Sequence, residues 1–270
     1  MENLRTYGRP PNRVAVIHGG PGAPGTMAPV ARELAGSWGI LEPLQTADTL
    51  DGQVEELRDV LTASGELPMV LVGSSWGAML AVVLAARHPA CARRLILVGC
   101  GAFDERNAAT IQATRWSRLS AAERREWTAL ADAAFGDPGR PGADAAFARL
   151  GALATRADAC DLLSTDTEAL DHQARIYARV WPEMAELRRG GGLLELARSV
   201  HCPVTAFHGD CDSHPAAGVA EPLAAVLPGF RFVLLDRCGH LPWLERHARD
   251  AFFRTLRAEL RLAYPPAPPA

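Results

Sequence analysis

No stretch of this chain is apolar for long enough to span a bilayer. The longest, Ala78 to Ala86 (AMLAVVLAA), runs straight into Arg87-His88-Pro89, well short of the roughly 20 residues a spanning helix needs. The opening segment MENLRTYGRPPNR has no apolar run either, so no secretory leader and no membrane contact is expected. Charge of one sign is also missing. Arg and Lys together number 28 and Asp and Glu 31, for a net charge of -3. That balance points away from nucleic acid and from anionic membrane surfaces. The six cysteines, Cys91, Cys100, Cys160, Cys202, Cys211 and Cys238, form no CxxC pair. They read as reduced thiols of a cytoplasmic protein. The phosphate-loop patterns GxxxxGKS and GxxxxGKT are absent too.

What is present suits one large domain, or a core with an insertion: 270 residues, of which 48% are hydrophobic. Short β-branched or apolar runs at 13–17, 39–44, 69–72 and 94–98 read as strands. The spacing of Val54, Leu57, Val60 and Leu61 predicts a helix over 51–61, with Asp51 as its N-cap. A second helix is expected over 76–87, stopped by Pro89. Apolar strands alternating with helices imply a parallel sheet covered on both faces. Residues 104–199 carry helical patterns and no convincing strand. Ser120–Glu123 and Thr165–Glu168 fit capping boxes there. Alternation resumes with strands at 204–207 and 230–235 and helices at 215–227 and about 244–262. The expected organisation is an α/β core at 1–103 and 200–264, interrupted by a helical cap at 104–199. The proline-rich end, 265–270, is expected to be disordered.

One motif carries chemistry by its context. Gly73-x-Ser75-x-Gly77 follows an expected strand and opens an expected helix. A serine at so sharp a turn is held out in a strained conformation. Side chains two residues to either side would collide, so glycines stand there. The helix N-terminus beyond it favours negative charge. A serine hydroxyl needs a base, and the base needs an orienting group. His240, in the loop after the strand at 230–235, sits where parallel sheets assemble their sites. His88, His172 and His247 fall in or at the ends of helices and read as solvated. His201 lies at the start of a strand, and His208 and His214 are lesser rivals. Asp210 and Asp212 both follow the strand at 204–207. The loop 211–214, with Asp210, Cys238 and His240, is rich in ligand-type side chains but lacks compact metal spacing, so neither metal nor cofactor is expected. A Cys211–Cys238 disulfide is a further option in these loops.

His18-Gly19-Gly20-Pro21-Gly22, Gly73-Ser74-Ser75-Trp76-Gly77, Gly209-Asp210-Cys211-Asp212 and Gly239-His240 occur in this order, each after its own expected strand. In this the sequence resembles the α/β-hydrolases, and within them the proline iminopeptidase-like group. The resemblance implies a mostly parallel, doubly wound sheet with an inserted helical cap. It implies Ser75 as nucleophile, His240 as base and Asp212, rather than Asp210, as the acid. The oxyanion donors would be the N–H groups of Gly20 and Trp76. His18, Gly19 and Pro21 would support that loop. Such relatives often begin with an extra β-hairpin, for which this chain has little room. Trp181 and Glu183 are candidates for the substrate pocket, and Glu168, Glu183 and Glu186 for holding a substrate amine. Trp116, Trp127 and Trp181 either line that pocket or pack between helices. The expected activity is hydrolysis of a small ester or a short peptide by a serine hydrolase, an esterase or an aminopeptidase. Thioester, lactone or C–C cleavage by the same three residues, or ligand binding without catalysis, are the alternatives. The sequence leaves monomer and dimer equally open.

Overall fold

The computed structural model describes residues 3–165 and 167–265. Its centre is a seven-stranded sheet. The strands are β1 (Leu4–Tyr7), β2 (Asn12–Ile17), β3 (Gly39–Pro43), β4 (Met69–Ser74), β5 (Ala92–Val98), β6 (Val204–Gly209) and β7 (Arg231–Leu235). Their order across the sheet is β1-β3-β2-β4-β5-β6-β7. All neighbours are parallel except β1, which pairs antiparallel with β3.

Alternation along each strand explains why both faces are covered. Ala15, Ile17, Leu71, Leu95, Leu97 and Ala206 point into one apolar cluster. There they meet α2 (Leu50–Ser64), α3 (Trp76–Arg87) and α10 (Ala217–Val226). Val14, Val16, Val70, Val72, Ile96, Val98 and Phe207 point the other way. They pack on α1 (Ala28–Leu34) and α11 (Arg249–Ala263). With both faces buried, the strands read as continuous apolar runs. α3 is buried along nearly its whole length, which is why it looked apolar all round. No helix among the described residues is long and apolar enough to cross a membrane.

Between β5 and β6 come α4 (Glu105–Ala108), α5 (Ile111–Arg118), α6 (Ala121–Phe135), α7 (Ala143–Ala157), α8 (Ala174–Arg189) and α9 (Gly192–Arg198). This helical insertion has two kinds of interior. α6 and α7 close a small cluster of their own around Ala134, Ala146 and Phe147. α8 and α9 instead send Ile176, Val180, Met184, Leu193 and Ala197 into the main core.

Local chemistry decides the boundaries. Ser120 and Glu123 form the reciprocal capping box that opens α6. The second box expected, Thr165–Glu168, does not start a helix. Glu168 has φ 54°, outside the right-handed helical region, and its carboxylate pairs with Arg32. The next helix begins at Ala174, whose N–H is taken by Asp144 of α7 from 30 residues away. At α2 the N-cap is Thr49, not Asp51: its hydroxyl accepts the Gly52 N–H. The expected helix at 244–262 starts later, at Arg249, after a short 3₁₀ turn at Pro242–Leu244. β1 and α1 were not anticipated. β1 is four residues of mixed polarity at a sheet edge, with no buried face to pattern it. Residues 266–270, most of the expected disordered tail, lie outside the described residues.

Candidate active site

The site lies at the C-terminal ends of the parallel strands, where strand order reverses between β2 and β4. There the HGGPG loop leaving β2 meets the turn leaving β4. In that turn Ser75 has φ 52° and ψ -112° and stands just before the first residue of α3. A non-glycine residue there is strained. The strain is held by packing. A Cβ on Gly73 would fall 2.3 Å from the Gly77 carbonyl oxygen, and one on Gly77 2.3 Å from the Ile17 oxygen. Only glycine permits both approaches. The Ser75 N–H donates to the Val98 carbonyl of β5 at 2.8 Å, and the side chain faces a cavity of about 490 Å³.

The HGGPG loop is a hydrogen-bonded turn. Ala23 N–H donates to the Gly20 carbonyl, with Pro21 and Gly22 (φ 78°) between them. Proline followed by a glycine of positive φ is what a type II turn demands. The loop also docks on the insertion: Gln173 N–H donates to Gly22 O at 2.7 Å and Leu170 N–H to Pro24 O at 2.8 Å. Gly19, Gly20, Pro21 and Trp76 all line the cavity beside Ser75. Trp76 is the first residue of α3, so its N–H has no acceptor within the helix. His18 is fully buried, with Nδ1 3.1 Å from the Gly19 carbonyl. Burial pushes its pKa down, so it stays neutral.

Asp212 and His240 come together from the loops after β6 and β7. His240 Nδ1 lies 2.7 Å from Asp212 Oδ2. Asp210 does not reach the histidine; its carboxylate accepts the Cys238 N–H. Burial alone would raise the pKa of Asp212. The flanking His240 and His214 reverse that and hold it well below the usual carboxylate range. For His240 burial pulls down, but Asp212 outweighs it and the pKa lies above the ordinary 6.5. A Cβ on Gly99 would sit 2.6 Å from the His240 carbonyl oxygen and 3.1 Å from Nδ1. Glycine there lets His240 settle against the end of β5.

Four features of the site were not assigned from the sequence, where His214 stood only as a lesser rival and His172 as a solvated helix residue. His214 stacks on His240, with centroids 4.2 Å apart and planes 20° apart. Its Nδ1 and its backbone N–H both reach Asp212 Oδ1, each at 2.9 Å. Asp212, His214 and His240 offer ligand-type atoms within 4.8 Å of one another. Both Nδ1 atoms are already spent on the carboxylate, and near-parallel rings do not aim their remaining nitrogens at one point. The hydrogen bonds therefore account for the cluster. Next, Arg115 of α5 makes a two-pronged pair with Asp158, Nε to Oδ1 at 2.8 Å. The Asp158 backbone carbonyl accepts the His240 N–H at 3.0 Å. The end of α7 thus braces the loop of His240. His172 is the third. It belongs to the loop before α8, not to a helix, and lines the cavity edge-on to Phe147.

Glu245 is the fourth. Fully buried, it accepts the N–H groups of Gly239 at 2.9 Å, Cys160 at 2.9 Å and Asp161 at 2.7 Å. It joins the His240 loop to the foot of the insertion. Glu245→Ala removes the acceptor for all three and is expected to cost about 3 kcal/mol. Urea denaturation checks this, and a loss below about 1 kcal/mol would mean that solvent replaces the carboxylate at no cost.

The far wall of the cavity is aromatic. Phe135 stacks on Tyr177 at 4.9 Å, and Tyr177 on Trp181 at 5.9 Å. Trp181 and Trp127 line the cavity. Glu183, the other pocket candidate, does not: its carboxylate accepts the Leu50 N–H at the start of α2. Glu168 pairs with Arg32 and Glu186 with Arg189. Cys211 and Cys238 touch through backbone only, Cys211 N–H to Cys238 O, and both thiols are free.

Residues 5–255 match the alpha/beta hydrolase family. The chain belongs to that family. A comparison with curated protein sequences gave no match. Among solved structures, the chain is similar to the N-acyl homoserine lactonase AidH, with a TM-score of 0.66 and 14% identity over 99% of this chain and 95% of that one. It is also similar to a thermophilic esterase from Thermogutta terrifontis, with a TM-score of 0.63 and 19% identity over 97% and 93%. A third is the meta-cleavage product hydrolase CumD from Pseudomonas fluorescens IP01, with a TM-score of 0.63 and 17% identity over 96% and 94%. Likeness at this level of identity speaks for the fold.

Proposed function

We propose that the protein is a serine hydrolase that cleaves small esters through an acyl-enzyme. The observation that carries this is the 2.7 Å contact of Asp212 with His240, which lines the same cavity as the strained Ser75. His240, neutral at the start, takes the Ser75 proton as Oγ attacks the ester carbonyl. Asp212 balances the imidazolium that forms. The N–H groups of Gly20 and Trp76 receive the oxyanion, each contributing on the order of 3 kcal/mol. His240 then protonates the departing alcohol. Water, deprotonated by His240, attacks the acyl carbon, and Ser75 leaves with the proton. Every step uses groups of the chain itself.

The cavity favours an apolar or aromatic acyl group, through Phe135, Phe147, Tyr177 and Trp181. Helices α4 to α8 would act as a cap that keeps the substrate small. An aminopeptidase needs a carboxylate to hold the free amine. Glu168, Glu183 and Glu186 are all engaged elsewhere. Asp158 faces the cavity but is neutralised by Arg115. The lactonase and the esterase among similar structures lean the same way.

A fluorophosphonate probe is expected to label Ser75 and no other serine. Short aryl esters should turn over at least about 100-fold faster than prolyl-β-naphthylamide, a gap of about 3 kcal/mol in barrier. An unlabelled Ser75 in folded protein would remove the hydrolase reading. Preference for the prolyl amide would restore the aminopeptidase.

A further inference from the structure

We propose that Cys160 and Cys211 are a redox site: a reversible disulfide that ties the foot of the helical insertion to the loop carrying Asp212. The two sulfurs lie 3.0 Å apart, although 51 positions separate them in the chain. A disulfide needs a separation of about 2.05 Å, so closure asks for a movement of about 1 Å. The backbone on each side is already fixed. Cys160 N–H is held by Glu245, and Cys211 N–H by the Cys238 carbonyl. Access is graded in a useful way: Cys160 is exposed and Cys211 half-buried. The neighbouring Cys238 thiol is buried and contacts the Gly239 carbonyl instead.

The oxidant is a small organic disulfide. The Cys160 thiolate attacks one of its sulfurs and releases one small thiolate, leaving a mixed disulfide on Cys160. Cys211 attacks the Cys160 sulfur, and its proton passes to the second small thiolate as that group leaves. Two protein thiols become one cystine while one small disulfide becomes two thiols. This order follows from the surroundings of Cys211. Burial, the Cys160 thiol and the Asp210 carboxylate push its pKa up to about 12. It is therefore a poor first nucleophile, but it sits in place to finish the exchange. The cross-link would close the loop containing α8, α9 and β6. It would also fix the foot of the insertion, where the Asp158 carbonyl holds His240, against the acid loop.

The test uses the full chain treated with oxidised glutathione. Non-reducing peptide mapping should find Cys160 joined to Cys211, with no retained glutathione. The melting temperature should rise by about 5–10 °C, as expected for a loop of this length in a chain of this size. Dithiothreitol should reverse both. Cys160→Ser and Cys211→Ser should each abolish the rise and leave the reduced protein within about 2 °C of the parent. A Cys211–Cys238 peptide, a stable glutathione adduct on Cys160, or an unchanged melting temperature would each overturn the proposal.

Discussion

Ser75→Ala should lower kcat/KM on the best ester substrate by about 10⁵-fold, close to 7 kcal/mol of barrier, while the protein stays folded. The loss is large because the proposed mechanism routes the attack through this one hydroxyl. Ser74 is adjacent in sequence, but its hydroxyl is buried, with no hydrogen-bond partner among the described residues. The fold should survive because alanine keeps what the turn uses. The Cβ remains, so the backbone at φ 52° is no more strained than before. The N–H bond to Val98 is untouched. Residual activity above the uncatalysed rate is expected, since the Gly20 and Trp76 N–H groups and the cavity persist. Ser74→Ala gives the contrast, with a loss below about tenfold. Steady-state kinetics with melting curves on both variants decide the matter. A drop of less than tenfold for Ser75→Ala would leave the strained serine without a role in turnover.

The parts of this site legible in the sequence share one property: each is a short motif at the end of its own strand. HGGPG, GSSWG, the aspartates after β6 and the histidine after β7 carry their geometry locally. A type II turn writes proline and glycine into adjacent positions. A strained serine writes glycines two residues to either side. The contacts of Gly73 and Gly77, 2.3 Å from backbone oxygens if either had a side chain, are the physical content of that pattern. The apolar strands were equally plain, because both faces of a parallel sheet demand the same residue class.

What stayed hidden depends on pairing across the fold. Asp158 and Arg115 are 43 residues apart, and Glu245 and Cys160 are 85. A buried Asp or Glu looks like any surface carboxylate until its partners are known. The Thr165–Glu168 box failed for the complementary reason. Its composition suits a helix start, but Leu170 and Gln173 spend their N–H groups on the loop that follows β2, and Asp144 supplies the cap of α8 instead. His172 became a cavity residue by the same docking, which no helical periodicity announces. Glu183 shows the reverse error. It lies two residues from Trp181 on α8, a separation of about 200° around a helix, so the two cannot face the same cavity.

His214 makes the sharpest prediction about the acid. Asp212→Asn should lower kcat by about 10⁴-fold on the neutral plateau, a far larger loss than removing one charge from a surface pair. The reason is the direction in which the amide must sit. The His214 backbone N–H donates to Oδ1 at 2.9 Å, and an N–H requires an acceptor. The asparagine oxygen therefore stays on the His214 side, and its NH₂ takes the place of Oδ2 against His240 Nδ1. Two donors cannot share that contact, so His240 must leave Nδ1 bare and carry its proton on Nε2. Nε2, the nitrogen that would receive the Ser75 proton in the proposed mechanism, then donates where it has to accept. The pH dependence gives an independent check. Under the proposed mechanism His240 must be unprotonated to act as base, and in the parent Asp212 raises its pKa above 6.5. Activity should thus fall as pH drops through a value above 6.5. In Asp212→Asn the largest raising influence is gone, leaving burial and Arg115 to pull the imidazole down against the lesser pull of Asp158, so the acid limb should move to lower pH. The ratio of parent to variant rates should shrink accordingly on the acid side. Profiles of kcat/KM against pH for both proteins measure this. An acid limb that stays in place, or a plateau loss below about 100-fold, would mean that His240 takes its orientation from Asp158 and His214 rather than from Asp212.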